Sequence, residues 1–96
     1  MKKRIETNEK RLDKSLACIK KLELALDEFK SNKKDLDLLN KYYGSKGWFS
    51  DKESFEKHEI TGIKAGVLSE DAVWNMNEDI KDLIKEMKEV INLFSK

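Results

Sequence analysis

Apolar residues along the first 43 positions return at helical intervals. From Leu12 through Leu16, Ile19, Leu22 and Leu26 to Phe29 the steps are 4, 3, 3, 4 and 3, with Ile5 before them and Leu36, Leu39 and Tyr43 after. That spacing places the side chains on one face of a 3.6-residue helix and predicts a helix over about 3–43. The stripe weakens at Asn8 and again at Ser31-Asn32-Lys33-Lys34. A frayed start is expected, since Lys2, Lys3 and Arg4 would face the positive end of the helix dipole. At the second gap the expectation is one helix with a polar turn, about 60 Å long if unbroken. The end of the chain carries the cleanest pattern. Val73, Met76, Ile80, Leu83, Met87, Val90 and Phe94 alternate steps of 3 and 4, and Ile84 and Ile91 widen the stripe. This predicts a second helix over about 69–95. Ser69 is its expected N-cap, Glu70 and Asp71 sit at the positive end of its dipole, and Lys96 supplies a cation at the other end.

Between the two periodic segments lies a different composition. The chain has no proline, and its four glycines, Gly44, Gly47, Gly62 and Gly66, all fall in this centre. Gly44 and Gly47 read as a helix end and turn, and Gly66 as backbone relief before the last helix. The prediction is a single all-α domain over 1–96: a long antiparallel helical hairpin closed by an irregular, aromatic-rich connection at 44–68. The first helix is the longer. Its overhanging stripe would be covered by a second chain, so a homodimeric four-helix bundle is the expected assembly.

Charge supports this arrangement. The chain carries 20 Lys plus Arg against 19 Asp plus Glu, a net charge of +1. Residues 1–47 hold 13 basic and 8 acidic groups, net +5, and residues 48–96 hold 7 and 11, net −4. Two halves of opposite sign suit elements that pair with each other, within a chain or between chains. The small total makes nucleic acid an unexpected partner. Lys20-Lys21 and Lys33-Lys34 are interleaved with Glu23, Asp27, Glu28, Asp35 and Asp37, as on a solvated helix face.

The centre also holds the unusual chemistry. From Tyr42 it reads Tyr-Tyr-Gly-Ser-Lys-Gly-Trp-Phe-Ser-Asp-Lys-Glu, and from Gly66 Gly-Val-Leu-Ser-Glu-Asp-Ala-Val-Trp. These two strings, in this order and at this spacing, resemble a bacterial and phage family of short helical proteins catalogued as a domain of unknown function. The resemblance covers nearly the whole chain. Members of that family often carry Pro and Asp shortly before the Gly-Val-Leu string, where this chain has Ile60-Thr61-Gly62-Ile63-Lys64-Ala65. The resemblance implies a helical fold and no particular activity.

Read on their own, Tyr42, Tyr43, Trp48 and Phe49 put four rings at one end of a hairpin. A terminal mini-core is the first reading, because aromatic rings dominate burial in small proteins. Contact with a partner is the second, because Tyr and Trp combine apolar area with a polar tip. On the second reading the candidate interaction surface is Tyr42, Tyr43, Ser45, Trp48, Asp51, Glu53, Ser69, Glu70 and Asp71. Asp51 and Glu53 also read as caps of a short helix through Phe55, or as partners of the basic first helix.

No catalytic residue, cofactor or metal is expected. His58 and Cys18 are the only residues of their kinds, and they stand 40 positions apart. Such a pair lacks the spacing of a zinc site, and His58-Glu59-Ile60-Thr61-Gly62 lacks a second histidine. Cys18 beside Ile19 reads as a packing residue. One cysteine excludes an internal disulfide framework. Neither a phosphate-binding glycine loop nor a nucleophile elbow is present. No apolar run follows the basic start, and no stretch approaches a membrane span, so the expected location is the cytoplasm with no membrane partner. The leading expectation is a non-catalytic protein–protein interaction module: an adaptor or an inhibitor of a larger protein, phage-borne in one version. The alternatives are a nucleic-acid-associated regulator using the basic first helix, and a small-ligand sensor or enzyme at the aromatic junction.

Overall fold

A computed structural model describes Met1–Ser95. Among these residues the fold is all-α, as expected, 81% helix with no strand. In order come α1 (Lys2–Ser31), α2 (Lys33–Tyr42), α3 (Lys46–Glu56), a 3-10 turn (Gly66–Leu68) and α4 (Ala72–Phe94). Lys96, read as the terminal cation, lies outside the described residues. Two compact units are distinguished, Met1–Asp37 and a second beginning at Leu38.

The first unit is helical from Lys2, through the stretch where a frayed start was expected. Thr7 donates its hydroxyl to the Lys3 carbonyl at 2.9 Å, and the Asn8 amide donates to the Arg4 carbonyl at 2.9 Å. These bonds add to the backbone ladder in the turn where three cations oppose the dipole. The polar gap does interrupt the helix, at the single residue Asn32. Its N–H is shared between the Glu28 carbonyl at 3.1 Å and the Phe29 carbonyl at 3.3 Å, a local tightening toward 3-10 geometry. Its carbonyl then accepts from Leu36 N–H, so the chain re-enters a helix at once. The segment expected as one helix over 3–43 is thus two, α1 and α2. No residue of α1 is buried.

The second unit holds the core, formed by Trp48, Leu68 and Val73. Its elements begin and end for local reasons. Gly44 follows α2 with φ +77°, a left-handed conformation that an L side chain enters at a cost. Ser45 then caps α3, its hydroxyl accepting from Trp48 N–H at 3.2 Å. The connection at 44–68, expected to be irregular, therefore contains a helix of 11 residues. Gly47, read as a turn, lies inside that helix. Gly62 is the other glycine with positive φ, at +76°. Gly66 has no such requirement, and a Cβ there would meet nothing within 4 Å.

α4 starts at Ala72, later than the expected 69, and Ser69 still serves it. The Ser69 hydroxyl accepts from Ala72 N–H at 3.1 Å and donates to the Gly66 carbonyl at 2.9 Å, joining the 3-10 turn to the helix start. Glu70 and Asp71 precede the first turn and do not lie within it. Farther along, the Asn40 and Asn77 amides exchange hydrogen bonds of 2.8 and 3.3 Å, fixing the end of α2 beside α4.

Candidate functional site

Trp48 organises the aromatic junction. Ser45 starts α3, which carries the indole into contact with the 3-10 turn, and the residue is 3% exposed. Burying an indole leaves one polar group to satisfy. Its Nε1–H donates to the Val67 carbonyl at 2.9 Å. Tyr43 meets the indole edge-on, centroids 5.2 Å apart at 72°, and Phe49 does so at 4.9 Å and 79°. The Lys52 ammonium, one helical turn beyond Trp48, stands 5.2 Å from the indole centroid. It also pairs with the Glu70 carboxylate at 3.0 Å. The Tyr43 hydroxyl donates to the Glu70 carbonyl at 2.6 Å. α2, α3 and the turn before α4 are thus tied together around one ring.

The remaining sequence-predicted residues divide into linked and separate ones. The Tyr42 hydroxyl donates to the Asp51 carboxylate at 2.6 Å. That bond, then burial, then the nearby negative charge raise the Tyr42 pKa above the usual phenol value. Asp51 and Glu53 lie inside α3 and do not cap it. Glu53 pairs with Lys57 at 2.6 Å on the helix surface. Tyr42, Tyr43 and Ser45 are half-buried, while Asp51, Glu53, Ser69, Glu70 and Asp71 are exposed. Trp48 therefore faces inward, and the mini-core reading describes it.

Lys52 and Val67 were not expected at this site, Phe49 was expected there only as part of the mini-core, and Trp74, near the start of α4, was not singled out. Phe49 is 61% exposed and Trp74 57%, although each neighbours a core residue in sequence, Trp48 and Val73. The signal for Lys52 was its i, i+4 spacing from Trp48, visible once 46–56 is read as a helix. Cys18, read as a packing residue, is exposed on α1. Among the described residues no group of three His, Cys, Asp or Glu is placed to hold a metal ion. Among the described residues no helix is long and apolar enough to cross a membrane.

The family described as a domain of unknown function (DUF4298) matches residues 5–90. The chain belongs to the DUF4298 family. The match spans the helices, the aromatic junction and the Gly66–Asp71 string, so the DUF4298 domain includes the whole candidate site. No curated protein and no solved structure matches the chain.

Proposed function

We propose that this DUF4298 protein is a non-catalytic protein–protein interaction module, with its contact surface on the outer face of the aromatic junction. The observation that carries this is the pair Phe49 and Trp74, two large rings with more than half their surface in solvent. Exposed rings on a fixed scaffold lose little conformational freedom on binding, so they suit the centre of an interface. The scaffold is fixed by the bonds of Trp48, Tyr43 and Lys52. Asp51, Glu70 and Asp71 add acidic groups at the rim, which favours a partner with basic groups around an apolar centre. Trp48 supports the surface from beneath and does not touch the partner.

The test is quantitative capture of partners from the native cell by the wild-type chain and by a Phe49→Ser/Trp74→Ser variant. Both rings are mostly exposed, so the variant should keep the wild-type helical signal, its unfolding midpoint lowered only by loss of the Phe49–Trp48 edge contact, worth about 0.5–1.5 kcal/mol. It should lose a partner that the wild-type chain holds at fixed stoichiometry. A folded variant that keeps that partner contradicts the proposal.

A further inference from the structure

Along the sequence the cations of α1 alternate with carboxylates, but the helix sorts them. Lys3, Thr7, Lys10, Lys14, Ala17 and Lys21 follow one another at steps of 4, 3, 4, 3 and 4. Those steps trace one line along an α-helix, about 27 Å long at 1.5 Å per residue. All six residues are exposed. The line holds four cations, no carboxylate and no large apolar side chain. Arg4 and Arg11 stand about 90° to one side of it, and Glu6, Glu9 and Asp13 about 90° to the other. Among the described residues the ion pairs within α1, Lys2–Glu6 and Lys30–Asp27, use none of the four lysines. The small charge of the whole chain hides this concentration: residues 2–21 carry eight basic and three acidic groups, net +5.

The line also points away from the apolar stripe of the same helix. At about 100° per residue, the mean direction of the four lysines lies about 170° from that of Ile5, Leu12, Leu16 and Ile19. Whatever covers the stripe, the lysines face the opposite way.

Side-chain chemistry selects the partner. Lys is depleted at protein interfaces, where aromatic rings, Met and Arg are enriched. A bilayer takes up a helix through its apolar face, which here is the far side. A single nucleic-acid strand is held by stacking its bases on aromatic rings, and the line has none. A rigid row of point charges suits the closely spaced phosphates of a duplex, where each bound Lys releases a counterion. We propose that Lys3, Lys10, Lys14 and Lys21 form a sequence-independent contact for the phosphate backbone of a nucleic-acid duplex. This contact belongs to α1 alone and stands independently of the surface proposed at the aromatic junction.

The experiment is fluorescence anisotropy of short mixed-sequence duplexes, one of DNA and one of RNA, titrated with the full chain in reductant. The wild-type chain should bind at least one of them at 50 mM salt, and the one it prefers names the source of the phosphates. Affinity should fall about a hundredfold between 50 and 200 mM salt, the loss that goes with four released counterions. The variant Lys3→Gln/Lys10→Gln/Lys14→Gln/Lys21→Gln should keep the helical signal and bind about a hundredfold more weakly, or worse, at the lower salt. Lys2→Gln/Lys20→Gln/Lys30→Gln/Lys34→Gln removes the same charge away from the line and should stay within about fivefold of the wild type. A wild-type chain that binds neither duplex at 50 mM salt overturns the proposal, as does a salt dependence below about tenfold. Equal losses in the two variants overturn it too, since net charge and not the line would then be responsible. So does polyglutamate that binds as tightly as the better duplex, which would make an acidic protein the partner.

Discussion

Trp48 shows how one residue can meet two demands. Its indole supplies apolar area to a unit in which, among the described residues, only Leu68 and Val73 are buried beside it, and its N–H satisfies the Val67 carbonyl. Trp48→Ala should therefore destabilise the fold by roughly 3–5 kcal/mol, read from the urea midpoint. A shift below about 1 kcal/mol would mean that the ring is not a core element. Tyr42 tests the same junction through its proton. Its raised pKa means that the folded state favours the neutral phenol. The sign follows: this stabilisation is complete below the unfolded-state value near 10 and is lost as pH rises through the folded value. In a tyrosinate absorbance titration, Asp51→Ala should move one tyrosine to lower pH. Superimposable curves would remove the Tyr42–Asp51 bond from the account.

At the scale of elements, helix starts and stops rest on single groups. Ser69→Ala removes the hydroxyl that accepts from Ala72 N–H and should cost about 1 kcal/mol in a denaturant series. Coincident midpoints at equal slope would show that the cap contributes nothing. Gly44 and Gly66 form an internal contrast. Both have open space at the Cβ position, and only Gly44 has positive φ. Gly44→Ala should destabilise by roughly 1–2 kcal/mol through backbone strain, whereas Gly66→Ala should be neutral or slightly stabilising. Equal effects would contradict the backbone assignment. The stripes of α1 and α4 were legible because their period is long and regular. The interruption at Asn32 was legible only as a polar gap, since the same four residues suit a continuous exposed helix. α3 was not read as a helix of this length, because two glycines and four aromatics near its start suggest a turn. Ser45 decided it, through a hydroxyl bond formed only in the capped geometry.

For the molecule as a whole, the sequence pointed to the junction and to two competing roles for it, but not to which ring faces inward. Periodicity says which residues share a face; it does not say which of two adjacent rings faces inward. Trp48 and Phe49 are neighbours, and one is buried while the other stands 61% in solvent. Trp74, outside the expected surface, follows buried Val73 in the same way. An inner ring thus holds the second unit together, while two outer rings stand largely in solvent, where the proposed partner would meet them. The measurement that tests this separation most directly is site-specific photo-cross-linking in the native cell. A photoreactive phenylalanine at position 49 or 74 should yield one discrete cross-linked protein other than this chain, while the same group at Lys81 on the surface of α4 should not. Cross-links from position 81 of equal yield to the same protein, or none from 49 and 74 in folded protein at native abundance, would contradict it.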